Sequence, residues 1–558
     1  MPRTPVKMRS RQLLIIPTER ARRYELPQSK RAIVVSASQY ASRAGLGVLK
    51  EGGNAIDAAV ATAHTLGVSA PAFSGIGGGG FALIWLAKEE RPIFVDYRER
   101  APSSAKETMF QLTSSGKVVR DENSLGYKAV AVPGTISGHA LLLEKYGTKD
   151  LKQVIEPAIN CARRGVKVGR TLAYVWKQST TKLNRFKESR TTYMHYGRPY
   201  RQGEKFTPTQ LKKSLERVAT QGHAEFYHGK IAEQICDDMA SHNGLITRSD
   251  LEHFAPTTRD PVRGTYKGFE VISAPPPSAG GSIILQALNI LEAYDLKSYG
   301  HNSTQSLHLI AEALAAGNMN CRTQICDPDS SNVQTDVLTS KEFAKQAGAK
   351  INPTAASFPS GPTDFPAMPA SNTTHFVAVD SDGNVASMTE SVECYFGSGV
   401  TVPGTGIILN DTMHDFEPKP NMVNSVGSWK IPTSSMSPTI VLREGRPMMA
   451  LGSAGGPRIV TSTLQAVLNV VEFGMPVNEA VAAARIHLLG NRIQLESAIP
   501  KASVTGLRKM GRRVEIWRRK DKWDTGLYFG GVHAAYFAER KVSGGADPRR
   551  DGLAAILR

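Results

Sequence analysis

The chain has 558 residues, 41% of them hydrophobic, and a formal net charge of +18. That length exceeds one small core and calls for two domains or one large layered unit, while no run approaches the roughly 18–20 apolar residues that span a bilayer, so no membrane partner is expected. The five cysteines (Cys161, Cys236, Cys321, Cys326, Cys394) are odd in number and scattered, which fits a reducing compartment and excludes a disulfide framework.

The charge is concentrated in two places. Arg3 to Arg31 carries nine basic and two acidic residues, and Arg163 to Arg217 fifteen basic and three acidic, so the rest of the chain is close to neutral. Neither segment contains a nucleic-acid motif, although Tyr174, Trp176, Phe186, Tyr193 and Tyr200 interleave the second and keep RNA or DNA contact open as an alternative. A solvated basic face, or a funnel for an anionic substrate, accounts for both. Residues 1–31 read as a weakly structured basic tail. Its one apolar block, Leu13-Leu14-Ile15-Ile16, is closed by Pro17 and is too short for a signal-peptide core, and Glu19 and Glu25 argue against a transit peptide. A cytoplasmic location is expected.

In chain order, Ile33 to Val35 reads as a strand. Ser38 then caps a small-residue helix through Leu49, which Gly52-Gly53 ends, and Asn54 caps a second helix from Ala55 to about Leu66. The run Gly75-Ile76-Gly77-Gly78-Gly79-Gly80 satisfies the dinucleotide pattern G-x-G-x-x-G, but a helix precedes it and a strand, Phe81 to Trp85, follows. The dinucleotide site needs the reverse order, so the glycines point instead to close approach of neighbouring backbones. The strand Ile93 to Val95 delivers Asp96-Tyr97-Arg98-Glu99-Arg100-Ala101-Pro102. In it Arg98 is either a bidentate partner for a bound carboxylate or a surface arginine paired with Glu99 or Asp96. A basic helical stretch occupies about Leu151 to Thr220, and Ser303 caps a helix running to about Asn318 with Leu307, Ile310, Leu314 and Ala315 on one face. The thirteen histidines show no ligand spacing and Cys321 and Cys326 lack a second pair, so neither metal nor cofactor is expected; His308 and His375 read as core residues.

From Pro353 to Asn372 the composition favours an extended, exposed loop. His375 to Val379 and Val385 to Thr389 form a hairpin around Ser381-Asp382-Gly383-Asn384, so Thr373 sits where loop becomes sheet. Were the chain cut between Asn372 and Thr373, the threonine would carry both a hydroxyl and a free α-amine able to act as its base. Local sequence alone explains two threonines opening a strand by β-propensity. Further on, Leu451-Gly452-Ser453-Ala454-Gly455-Gly456-Pro457 lies between a strand and a helix beginning near Arg458, where bare amides suit an oxyanion hole.

Asn372-Thr373-Thr374-His375-Phe376, Val379-Asp380, Gly383-Asn384 and Phe396-Gly397-Ser398-Gly399 together resemble the processing site of the γ-glutamyltransferase (γ-glutamyl transpeptidase, glutathione hydrolase) family of N-terminal-nucleophile hydrolases. The Gly52 to Ala61 segment, the glycine run, the Arg98 motif, Val132 to Thr135, Ala274 to Gly281, Lys430 to Ile440 and Asp547 to Gly552 extend the resemblance over nearly the whole chain. Composition alone gives mixed α and β; the resemblance implies an α+β fold, the αββα sandwich of two mainly antiparallel sheets between helical layers. It also implies a precursor cut at Asn372-Thr373 into a large subunit, 32–372 behind the 1–31 tail, and a small subunit, 373–558. Thr373 would be the nucleophile, with Ser391 bonding its hydroxyl and Gly455 and Gly456 donating to the oxyanion. Arg98, Ser434 and Ser435 would hold the substrate α-carboxylate; for the two serines the alternative is a satisfied turn. Asp415 would hold the α-amine, helped by Glu393 where transpeptidases commonly carry asparagine. Thr412 replaces the usual Gln or Glu, and the Phe416 to Pro432 connection is shorter than in members with a long lid, which favours water over an acceptor amine. The expected substrate is glutathione or a related γ-glutamyl compound. Other acyl groups (glutaryl-type or poly-γ-glutamate), and an inactive scaffold or basic nucleic-acid-binding protein, are the alternatives; the sequence leaves further oligomerisation open.

Overall fold

The hairpin around Thr373 sits at the centre of the largest of the four sheets among the described residues. Strands Ser371–Val379 and Val385–Cys394 pair antiparallel, Val379 facing Val385 and Thr373 facing Ser391. Their turn is set by the Asp380 carboxylate, which accepts the backbone N–H of Asp382 (3.0 Å), of Asn384 (2.9 Å) and of Ala55 (3.0 Å), and the Asn384 side-chain amide (2.8 Å). The computed structural model describes residues 32–357, 371–489, 492–517, 526–538 and 541–557. The basic tail and most of the Pro-rich loop lie outside the described residues. At its end the expectation is corrected: Asn372 is not in an exposed loop but inside the strand, 3% exposed, because Ser371 still pairs with Cys394.

Seven strands form this sheet in the order Leu553–Ile556, Ile33–Ser36, Ser371–Val379, Val385–Cys394, Gly79–Leu86, Arg91–Asp96 and Thr257–Arg259. Six more form the second: Lys541–Ala546, Gly531–Ala538, Arg446–Ala454, Thr439–Arg443, Phe269–Ser273 and Val262–Tyr266. All neighbours in both are antiparallel. Alternation along the strands builds four layers. Ile33, Val35, Phe81, Leu83, Val377 and Val379 meet Ile272, Ile440, Leu442, Ala450 and Ala535 between the sheets. Their neighbours Val34, Ala82, Ile84, Phe376 and Ala378 face outward onto helices Gln39–Lys50 and Ala55–Ser69. On the far side, Val271, Val441, Met449, Leu451 and Val532 pack on helices Gly280–Leu291, Thr304–Arg322 and Arg458–Val471. Each buried Val, Leu, Ile, Phe or Met side chain among them contributes about 1.5–3 kcal/mol.

Local signals decide most boundaries. The Asn54 side chain accepts the N–H groups of Ile56 and Asp57, and Asp57 returns a bond to the Asn54 N–H at 2.8 Å, a full capping box. Ser303 caps Thr304–Arg322 through the Ser306 N–H, the helix running past Asn318 to Arg322. Ser38 holds the N-cap position but makes no capping bond; its hydroxyl accepts from Ser69 instead, at 2.8 Å. The glycine run does what the sequence demands of it. A Cβ at Gly78 would lie 2.1 Å from the Ser391 carbonyl oxygen, so only glycine lets the neighbouring strand approach. In the basic stretch the aromatic residues pack against each other and hold its short helices. Trp176 and Tyr193 are buried, the Trp176 indole donates to the Tyr193 carbonyl, and Tyr200 stacks on His195. Among the described residues no helix is long and apolar enough to cross a membrane.

His308 and His375 are buried, as their patterns imply. His375 Nδ1 is bonded to Thr389 Oγ1 at 2.8 Å, and burial holds this ring well below the ordinary histidine range. Burial also pushes His533 from 6.5 to about 3. Its folded pKa lies below its unfolded value, so between these limits the unfolded chain binds a proton that the folded chain refuses, and stability falls as pH falls. Between pH 7 and pH 4 the unfolding free energy of the wild type should fall relative to that of His533→Gln by up to about 1.4 kcal/mol per pH unit, read by thermal unfolding of the two proteins side by side across that range.

Candidate active site

The centre of the site is where the two hairpin strands stop being regular. Thr373 is 2% exposed, and its Oγ1 lies 3.3 Å from Ser391 Oγ. The Ser391 hydroxyl donates to the Asn372 carbonyl oxygen at 2.7 Å and accepts the Glu393 N–H at 2.8 Å. Pairing shifts register between Ser391 and Cys394, and within this bulge Glu393 adopts φ 72°. A bulge re-aims side chains, and here the strand that carries Ser391 also delivers Glu393. The Asn372 side chain is bonded as well: its Oδ1 accepts from Arg550 Nη2 at 3.3 Å.

Gly455 and Gly456 follow the strand Arg446–Ala454 and precede the helix Arg458–Val471, as the sequence implies. Their φ values, 122° and 58°, belong to glycine, and their carbonyls accept the N–H groups of Arg458 and Ile459, so the turn feeds directly into the helix. The positive end of that helix faces the same turn.

A charged cluster lies beside Glu393 of the bulge. Arg98 is not a surface residue: it is 1% exposed, its Nε donates to the Pro432 carbonyl at 2.9 Å, and its Nη2 forms an ion pair with Asp415. Glu99 stands 3.9 Å from Arg98 and accepts the Thr412 hydroxyl at 3.0 Å. Burial pushes the Glu99 carboxyl up to about 7 against the pull of Arg98. Burial, and then the neighbouring Asp415, hold Glu393 well above the usual carboxylate range. Asp415 ends a short turn, Thr412–Asp415, that Asn424 straps down: the Asn424 amide donates to the Asp415 carbonyl (2.7 Å) and accepts the Thr433 N–H (3.0 Å). Ser434 Oγ accepts the Met436 N–H at 3.1 Å, a satisfied turn, while Ser435 Oγ accepts from Arg322 Nη2 at 3.4 Å. A guanidinium and a carboxylate paired in a buried pocket can exchange that pairing for the carboxylate and ammonium of an amino acid.

Sequence reasoning named Glu99 only as a surface partner for Arg98, placed Arg550 in the Asp547 to Gly552 motif without assigning it a contact, and missed Arg322, which the end of a distant helix brings in. Thr412 contacts Glu99 and so has a partner of its own. Among the described residues no group of three or more His, Cys, Asp or Glu side chains could hold a metal ion.

Residues 41–557 match the Gamma-glutamyltranspeptidase family model. The chain belongs to this family. A γ-glutamyltranspeptidase relative, the glutathione hydrolase proenzyme of Pseudomonas sp. strain A14, is 39% identical over 471 residues, 82% of each chain. The acylase ACY 1 proenzyme of Pseudomonas sp. strain SE83 is 37% identical over 533 residues, 94% of each. Among solved structures, the cephalosporin acylase from Bacillus halodurans superposes with a TM-score of 0.85 at 28% identity, covering 96% of this chain and 97% of the other. The layered αββα architecture is therefore that of the N-terminal-nucleophile hydrolases.

Thr412→Val keeps the shape of the side chain and removes the one hydroxyl that donates to Glu99. Leaving a buried carboxyl oxygen without its donor costs about 1–3 kcal/mol, an expected loss to be read from the urea midpoint of the variant beside the wild type.

Proposed function

We propose that this chain is a precursor that cleaves its own Asn372–Thr373 bond, and that Thr373 then hydrolyses γ-glutamyl amides such as glutathione. The observation that carries the proposal is the contact set of Ser391, whose hydroxyl bonds the Asn372 carbonyl oxygen at 2.7 Å and lies 3.3 Å from Thr373 Oγ1. Thr373 Oγ1 attacks the Asn372 carbonyl carbon, and the charge that develops on its oxygen meets the Ser391 hydroxyl. The C–N bond breaks, the threonine hydroxyl proton ends on the departing nitrogen, and an ester joins Asn372 to Thr373. Water then hydrolyses the ester, giving a large subunit ending at Asn372 and a small subunit beginning at Thr373. That the relatives are named proenzymes supports this order of events.

In the processed protein the Thr373 amine serves as base for its own hydroxyl. The hydroxyl attacks the γ-carbonyl, the Gly455 and Gly456 amides receive the oxyanion, and Ser391 keeps the nucleophile oriented. Losing one such donor typically costs about 3–4 kcal/mol in barrier. Arg98, with Ser434 and Ser435, takes the α-carboxylate, while Asp415 and Glu393 take the α-ammonium. The short connection after Phe416 favours water as the acyl acceptor. The five unpaired cysteines support a reducing, cytoplasmic setting.

The first test is denaturing electrophoresis with intact mass. Wild type should give two fragments, the smaller beginning at Thr373, and Thr373→Ala a single full-length chain. A wild type that stays whole after prolonged incubation overturns the proposal.

The acylase relatives, one of which matches 94% of the chain, favour a second reading in which the same machinery removes an acyl group lacking the α-amine. The second test compares γ-glutamyl and glutaryl anilides. On the γ-glutamyl reading, kcat/KM for the γ-glutamyl anilide rises with pH along an ionisation that Glu393→Gln removes, because only the ionised Glu393 attracts an ammonium and its pKa is raised. Faster turnover of the glutaryl anilide, insensitive to Glu393→Gln, would establish the acylase.

A further inference from the structure

The scissile residue is held on two sides, and the sequence accounts for only one of them. Ser391 takes the Asn372 backbone oxygen. On the other side the Asn372 side chain accepts from Arg550, a residue of the C-terminal segment that is 6% exposed. The Arg550 guanidinium lies over the Phe73 ring, 4.6 Å from its centroid, and its Nε and Nη1 have no hydrogen-bond partner among the described residues. A buried cation with unmatched donors is costly, so something other than stability accounts for its placement. The slot that admits it is also specific. A Cβ on Gly531 would lie 2.6 Å from Arg550 Nε and 2.8 Å from its Cγ, so glycine at that point of the strand leaves room for the arginine.

We propose that Arg550 is a positioning residue for self-cleavage, clamping the Asn372 side chain so that the carbonyl carbon of the scissile bond faces Thr373 Oγ1. This rests on the self-cleavage reading above. Bonds at both the carbonyl oxygen and the side chain fix the rotation of Asn372, and with it the approach angle of the nucleophile. Ser391 acts at the backbone oxygen, and Arg550 adds a second hold at the side chain. Arginine suits the task better than lysine because its plane lies flat on the Phe73 ring while one edge donates.

The test follows the time course of cleavage of the full chain after cell-free synthesis, by denaturing electrophoresis. Arg550→Gln should slow cleavage by about 10- to 100-fold, with Arg550→Lys intermediate. Gly531→Ala should slow it too, without touching the arginine, because the new methyl group fills its slot. The decisive comparison is a double-mutant cycle. In the Asn372→Ala background, which has no side chain to clamp, adding Arg550→Gln should change the rate less than about threefold. Equal slowing by Arg550→Gln in both backgrounds, or wild-type cleavage in Gly531→Ala, overturns the proposal. Should Arg550→Gln fail to fold, Gly531→Ala still decides it. A wild type that never cleaves overturns the self-cleavage reading instead, so the two failures are distinguishable.

Discussion

The register of one hairpin governs the rest of the molecule. Because side chains alternate along a strand, a slip of one residue between Ser371–Val379 and Val385–Cys394 would turn Thr373 into the helical layer and bring Thr374 to the site. Register is fixed at the closed end by Asp380, whose carboxylate gathers four donors, one of them from Ala55 at the start of the second helix. It is fixed at the open end by the glycines of the adjacent strand, which lets the Ser391 backbone approach closer than any side chain would allow. The position of Thr373 is thus determined by a turn at the far end of its hairpin and by a strand beside its partner.

The charged cluster follows a different logic. Arg98, Glu99, Glu393 and Asp415 are brought within interaction distance with little water, and burial raises the carboxyls of Glu99 and Glu393 while Arg98 and Asp415 pair. Arg98 and Asp415 pair, whereas Glu99 Oε2 has no hydrogen-bond partner among the described residues, and on the proposed reading a bound zwitterion offers the group replacement partners. Thr412 and Asn424 hold its outer members by neutral bonds, which leaves the balance of charge to the ligand.

The sequence made the architecture legible wherever a local rule operates. Asn54 and Ser303 cap because an oxygen side chain before an apolar run has few other uses, and the hairpin is readable because turn residues separate two β-branched runs. Ser38 obeyed the same rule in position and not in bonding, since Ser69 offered its hydroxyl a tertiary partner. The loop before Thr373 was misjudged at Asn372 because Pro and Ser content says nothing about pairing with Cys394, a contact made by the partner strand's bulge. Of the site, motif residues such as Arg98, Gly455 and Asp415 could be assigned in advance from their resemblance. Arg322 and the contact made by Arg550 could not, because both exist only after segments 113 and 178 residues apart have packed.

The strand that bears Thr373 runs unbroken through the bond proposed for cleavage, with Ser371 and Asn372 still laid along the sheet. In that state the segment before the nucleophile occupies the ground that a substrate's acyl group needs, and the nitrogen that would serve as base is locked into an amide. On the proposed reading the uncut chain is its own occupant: the strand before Thr373 acts as a plug, and one cleavage both frees that end and releases the amine. Dormancy would then need no separate inhibitor, and each molecule would pass once, in one direction, from reactant to catalyst.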